Sequence, residues 1–238
     1  MKRLLTFALA APLVLGACSQ ASANDMSRKD IEAIVAEYLM ENPEIVEAAL
    51  EELDRKRQVE QLDAIRVQLE DNPRDISMGP KDAKVTIVEF FDYNCGYCKQ
   101  STEWVRKTID KYPNDVRVVF KELPLLDSRS RTSRKAAIAA LAASRQGKYP
   151  VMHFSLMNET SLTEERIELL AKKAGLDIEM WKKDMEDDIF QDHIEDTFRL
   201  ARSLPNLTGT PYFVIGDEII AGANVAKLNE TLKQALKS

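Results

Sequence analysis

The sequence predicts an α/β domain preceded by an N-terminal α-helical arm. Three observations carry that expectation. Residues 24–72 contain no glycine and are rich in Glu, Ala, Leu, Lys and Arg. Beyond them, short β-branched and aromatic runs alternate with segments of helical period. Near the end, two apolar runs flank Gly216-Asp217, a hairpin signal, before one last helical segment. The chain has 238 residues, a net charge of −6, 45% hydrophobic residues and three cysteines. That length allows one or two domains with a sizeable core. Three cysteines cannot build a covalent framework. The acidic balance argues against general nucleic-acid binding, and the aliphatic content against a disordered chain.

The first residues read as an address. Lys2 and Arg3 precede the uncharged run Leu4–Leu15, which is shorter than the roughly 20 residues that span a bilayer. A basic head, an apolar run and small residues behind it indicate an export signal. Two cleavages compete. Ala21-Ser22-Ala23 fits the small-x-small rule, makes 1–23 the signal and releases a soluble protein. Leu15-Gly16-Ala17-Cys18 resembles a bacterial lipobox, makes 1–17 the signal and lipidates Cys18. No later segment is long and apolar enough to span a membrane. The expected workplace is therefore outside the cytoplasm, with lipid anchoring through Cys18 as the alternative, and disulfides are permitted there.

The arm is placed at 24–73. Ser27 can cap a first helix, with Asp30 three residues on. Ile31, Ile34, Val35, Tyr38 and Leu39 share one helical face. Asn42-Pro43 ends that helix and opens a second, with Pro43 at its first position. The second can run to about Glu70. Val46, Ala49, Leu50 and Leu53 line one stripe; Leu62, Ile65 and Leu69 line another. Asp54-Arg55-Lys56-Arg57 lies between them. An amphipathic arm can fold back on the main domain or bind another copy of itself. A narrow stripe on a protruding helix favours a homo-oligomer through residues 24–72.

Lys84–Phe91 reads as a buried strand. Asp92-Tyr93-Asn94 turns the chain into Cys95-Gly96-Tyr97-Cys98, and a helical pattern follows to about Lys111. Cys95 then stands at a helix N-terminus, where the dipole and free N–H groups favour a thiolate. Cys95 can attack a substrate disulfide, and Cys98 can resolve the mixed disulfide. Half a zinc site is the first alternative, but there is no second Cys-x-x-Cys, and His153 and His193 lie far away in sequence. An inert structural disulfide is the second, and a strand–turn–helix setting argues against it.

Val116–Lys121 reads as the next strand. A helix opens at Ser133 or Arg134, contains Ala136–Ala143 and closes near Gly147. Val151–Met157 is a short apolar segment. Thr163 caps another helix, with Gly175 just beyond its end. Ile189–Leu204 repeats the helical period. His153 and His193 are read as packing residues, and the methionines near His153 as core filler. Thr210-Pro211 precedes the strand Tyr212–Ile215. A proline there is unusual unless its peptide bond is special. Glu218–Ala221 pairs back through the hairpin, and Val225–Leu236 is the last helix.

Together the strand, Phe90-Phe91-Asp92-Tyr93-Asn94 and Cys95-Gly96-Tyr97-Cys98 resemble the DsbA-like family of periplasmic thiol-disulfide oxidoreductases. The resemblance covers about residues 76–238. It implies a thioredoxin fold with an inserted helical subdomain, at about 128–204. It implies that Glu89 is a buried acid exchanging protons with the inner thiol, the alternative being a solvent-facing strand residue. It also implies that Thr210-Pro211 is a cis peptide packed on the cysteines, leaving Thr210 backbone groups free to pair with substrate.

The Pro-His of strongly oxidising members is replaced here by Gly96-Tyr97. With Thr210 before the proline, this is similar to the DsbC isomerases, and the arm resembles that of the oligomeric ScsC proteins. The resemblance implies a protein disulfide isomerase or reductase, acting on cysteine-containing extracytoplasmic proteins and kept reduced by a membrane partner. Net oxidation of substrates is the alternative. A chaperone-like clamp or a Cu(I)-holding thiol pair is the alternative of another class. No cofactor is expected.

Overall fold

A computed structural model describes residues 26–237. The export signal and Cys18 lie outside the described residues. The chain divides into two compact units at Glu52/Leu53.

In the first unit, α1 (Arg28–Glu41) starts on a reciprocal cap. The Ser27 hydroxyl accepts from the Asp30 N–H, and the Asp30 carboxylate accepts from the Ser27 N–H at 3.0 Å. The helix ends at Asn42, whose backbone and side-chain N–H groups both bond the Tyr38 carbonyl. Pro43 opens α2 (Pro43–Glu70), where the missing proline N–H costs nothing. Ile31, Ile34, Val35 and Tyr38 are all exposed within this unit.

The second unit takes the remainder of α2. Leu62 and Leu69 are fully buried against Val88, Phe90, Val119, Leu123, Leu200 and Val214. Each such leucine contributes about 1.5–3 kcal/mol by leaving water. Arg66 bonds Asp217 at 2.7 Å, and Gln58 bonds the Asp217 carbonyl at 2.9 Å. The sequence places the whole of 24–73 in the arm. The compact units instead divide within α2, because its second stripe finds its partners on the sheet of the same chain.

That sheet has five strands: β1 (Ile76–Met78), β2 (Val85–Phe91), β3 (Val116–Glu122), β4 (Tyr212–Ile215) and β5 (Glu218–Ala221). Their order is β1-β3-β2-β4-β5, with β2 and β3 parallel and the other neighbours antiparallel. Three-residue β1 is too short for a periodic signal and is absent from the sequence reading. It returns through Gly79 at φ 102°, where a Cβ would stand 2.2 Å from the Val116 carbonyl oxygen, so only glycine fits. Side chains alternate across β2. Ile87 and Phe91 join the core on one face, and Val88 and Phe90 join the core containing Leu62 and Leu69 on the other.

Between β2 and β3 runs α3 (Gly96–Lys111). Between β3 and β4 lie six helices: α4 (Asp127–Ser130), α5 (Ser133–Ser144), α6 (Tyr149–Met157), α7 (Glu164–Lys173), α8 (Ile178–Met185) and α9 (Asp188–Arg202). The chain closes with α10 (Val225–Ala235). This is the thioredoxin fold with an inserted helical subdomain, preceded by an α-helical arm. The sequence reading omits α4 and α8 and leaves α6 as an apolar segment. No helix among the described residues is long and apolar enough to cross a membrane.

Candidate active site

At the C-terminal end of β2 the chain turns through Asp92-Tyr93-Asn94 and enters α3, with Cys95 as the N-cap. Gly96, Tyr97 and Cys98 form the first helical turn. Tyr97 is 65% exposed, whereas Cys95 is 7% exposed and Cys98 fully buried. Access therefore favours attack by Cys95. Both sulfurs are free thiols.

Thr210 faces Cys95 from the loop before β4. The Cys95 thiol donates to the Thr210 carbonyl at 3.1 Å. The Thr210–Pro211 peptide bond is cis. A cleft of about 280 Å³ runs beside this loop, lined by Asn206, Thr208, Thr210, Pro211 and Gly222.

Electrostatics separate the two thiols. The Cys95 pKa is lowered to about 6, first by a hydrogen bond from the Cys98 thiol. The Thr210 side-chain hydroxyl and the N–H groups of Tyr97 and Cys98 add to this, against the cost of burial. These N–H groups are orphan donors of the first helical turn, and they and the helix dipole favour an anion. Burial pushes the Cys98 thiol far up, and proximity to Cys95 adds to the shift.

Glu89 is buried on the sheet face that packs against α3, the helix that carries Cys98. The Ser101 hydroxyl stands between them. It is 3.0 Å from the Cys98 carbonyl and is a partner of the Glu89 carboxyl. Burial raises the Glu89 pKa to about 8, and Ser101 offsets only part of this. The solvent-facing alternative for Glu89 is thereby corrected: helix α3 covers that face.

All three turn residues are anchored outside β2, which sequence reasoning missed. Asp92 Oδ1 accepts from the Asn94 N–H at 2.7 Å and the Ser133 hydroxyl at 2.7 Å. Asp92 Oδ2 accepts from the Leu126 N–H at 2.8 Å. The Asn94 amide donates to Ser130, Thr132 and Ser133. Tyr93 donates to Glu122 at 3.0 Å, and Tyr149 donates to the same oxygen at 2.8 Å. His153 Nδ1 is 3.0 Å from the Tyr93 hydroxyl. The Asp-x-Asn spacing is a local signal for the first of these contacts. No local pattern announces the others, whose partners lie dozens of residues away.

The two histidines are buried. His153 packs between Phe91, Phe120 and Tyr149, and burial lowers its pKa to about 3. His193 lies across the sheet with Nε2 3.3 Å from Asp75. Neither approaches the cysteines as a ligand.

A family model described as the DSBA-like thioredoxin domain matches residues 86–237. A second, described as the copper resistance protein ScsC N-terminal domain, matches residues 28–60. A thioredoxin-like oxidoreductase from Silicibacter pomeroyi DSS-3 is 37% identical, with a TM-score of 0.66 over 73% of this chain and 98% of that one. A linker-deleted variant of Proteus mirabilis ScsC is 31% identical, with a TM-score of 0.68 over 92% of this chain and 99% of that one. Among curated proteins, a Na(+)/H(+) antiporter NhaA 3 from Salinispora tropica is 32% identical over 170 residues, 71% of this chain and 26% of the antiporter. The chain thus spans about a quarter of the length of the curated relatives it matches.

Proposed function

The chain belongs to the DSBA-like thioredoxin domain family, and from that premise we propose that it is an exported protein disulfide isomerase or reductase with Cys95 as the exchanging thiol. The observation that carries the reading is the asymmetry of the pair. Cys95 is the helix cap, reachable and anionic at neutral pH, whereas Cys98 is buried and protonated.

The chemistry follows from that asymmetry. The Cys95 thiolate attacks one sulfur of a substrate disulfide, forms a mixed disulfide and expels the other sulfur as a thiolate. In isomerisation, the expelled thiolate or another substrate thiolate attacks elsewhere, and Cys95 leaves as a thiolate. In reduction, Glu89, ionised in the minor fraction that a value of about 8 leaves at neutral pH, takes the Cys98 proton, and the Cys98 thiolate attacks the Cys95 sulfur. The substrate then leaves reduced, with Cys95 and Cys98 joined. Extended substrate backbone adds as a strand against Thr210, which supplies affinity without side-chain selectivity.

Rest in the dithiol state suits this role, because the contacts that stabilise the Cys95 thiolate stabilise the reduced form. A membrane partner that returns electrons keeps the pair there. The basic head and apolar run before residue 24 support export to the periplasm. The exposed apolar face of α1 supports association between copies, which offers one substrate several Cys95 thiolates.

Scrambled ribonuclease in a glutathione buffer tests the direction. The reduced protein should restore activity, and the Cys98→Ala variant should accumulate mixed disulfides through Cys95. Faster oxidation of reduced ribonuclease than repair of the scrambled form would assign net oxidation instead. Absence of any trapped species would exclude exchange chemistry.

A further inference from the structure

Glu122 takes no part in the exchange steps above, yet its surroundings are built. It ends β3, is 1% exposed, and pairs in register with Phe91. Its Oε1 accepts hydrogen bonds from two buried tyrosines, and its Oε2 has no partner. The side chains bonded to it are Tyr93 from the turn and Tyr149 from α6, and His153 stands behind Tyr93. The other nearby charges are also acidic, Glu89 and Asp92. No Lys or Arg pairs with it among the described residues. Burial accordingly drives its pKa well above the ordinary carboxylate value. Folding alone gives no reason to keep such a group, because a buried acid destabilises the fold at neutral pH.

What Glu122 holds is informative. Tyr93 is two residues before Cys95, and its hydroxyl meets Glu122 on β3 and both His153 and Tyr149 on α6. With Tyr93 donating to Glu122, the remaining lone pair of the hydroxyl accepts from His153 Nδ1–H, which fixes that tautomer. The turn is thereby clamped between β3 and the helical insertion, from beneath the exchanging thiol.

We propose that Glu122 is a positioning residue for the dithiol: through Tyr93 its carboxyl holds the turn so that Cys95 sits where the first N–H groups of α3 and the Thr210 hydroxyl can stabilise its thiolate. The proposal rests on Cys95 being the exchanging thiol. Its test reads Cys95 directly, so it can fail while Cys98→Ala trapping still succeeds. A keystone on the insertion side also makes the insertion part of the redox site.

The test compares Glu122→Leu, Glu122→Gln, Tyr93→Phe and Tyr149→Phe in the full reduced chain. Thiolate absorbance follows Cys95 against pH, and glutathione equilibration gives the redox constant. Glu122→Leu and Tyr93→Phe should cut the thiolate-to-thiol ratio at pH about 6 by roughly tenfold, one pH unit of titration. Their dithiol forms should become less stable relative to the disulfide. Glu122→Gln should titrate like the natural protein, because the amide oxygen still accepts from Tyr93. Tyr149→Phe should shift it less, because Tyr149 stands on α6 and reaches the turn only through the Tyr93 hydroxyl and the shared Glu122 oxygen. The infrared band of a protonated carboxyl should weaken in Glu122→Gln. If Glu122→Leu does not fold, Tyr93→Phe keeps the ring packing and carries the test. An unchanged Cys95 titration in folded Tyr93→Phe overturns the clamp. An equal shift in Tyr149→Phe does so too, by showing a general packing effect. A shift in Glu122→Gln overturns the clamp as well, because that variant keeps the acceptor for Tyr93.

Discussion

Lys121 and Glu122 are consecutive residues of β3, both 1% exposed, and they face opposite sides of the sheet. On one side the Lys121 ammonium donates to the Gln68 carbonyl at 2.6 Å and pairs with the buried Asp75 carboxylate. On the other, Glu122 accepts from Tyr93 and Tyr149. One strand end thus fastens the close of α2 on one face and the active-site turn on the other.

Removing one partner of a buried pair strands the other charge, so Lys121→Met should cost about 3–5 kcal/mol. Lys121→Met combined with Asp75→Leu should recover most of that loss, since apolar replacement of both charges is often near neutral. Urea unfolding of the single and double variants measures the coupling. Equal losses in both would show that the pair is not the fastening.

Cys95 should be alkylated by iodoacetamide with a pH midpoint near 6, while Cys98 stays unreactive through neutral pH. Its folded value lies below the ordinary 9.0. The associated stabilisation of the reduced form is therefore fully present above the unfolded value and is lost as pH falls through about 6. Thermal stability of the reduced protein should therefore go on rising from pH about 6 to the unfolded value, above the pH at which alkylation is already half complete. A midpoint at the ordinary thiol value would contradict the geometry.

Glu89 has the opposite sign. Its folded value, about 8, lies above the ordinary 4.5, so stability is greatest below 4.5 and is lost as pH rises toward 8. At neutral pH the buried acid costs about 3 kcal/mol relative to a group that needs no proton. Glu89→Gln should therefore be more stable, by a margin that grows from pH 5 to 8. It should also resolve mixed disulfides more slowly, because Cys98 loses its proton acceptor. Stopped-flow resolution rates and calorimetry read the two effects separately. A stabilised variant with natural resolution rates would remove Glu89 from the proton path.

The site was legible in the sequence where its signals are local. Cys95 at a helix start, the proline before β4 and the Gly216-Asp217 hairpin each occupy a few consecutive residues. Glu122 shows the limit. Its partners Tyr93, Tyr149 and His153 lie on other elements, and as a strand end it reads like any solvated glutamate. The stripe of Leu62, Ile65 and Leu69 was visible, but its destination was not. A helical period says that a face needs cover, and the residues covering it, Val88 to Val214, are set by topology.

That distinction between two stripes on one arm gives the last prediction. Leu69 is fully buried among the sheet residues of its own chain, whereas Ile34 and Tyr38 are 52% and 54% exposed. Leu69→Ala should therefore cost about 2–5 kcal/mol in unfolding free energy, through lost transfer and a residual cavity. Ile34→Ala with Tyr38→Ala should change monomer stability by no more than about 0.5 kcal/mol each, as for ordinary surface positions. If the α1 face binds other copies, the same double variant should lower the native mass to that of one chain. Light scattering beside urea unfolding distinguishes the cases. An unchanged native mass would mean that Ile34 and Tyr38 do not hold the assembly. A large stability loss in the monomer would mean that α1 packs on its own chain after all.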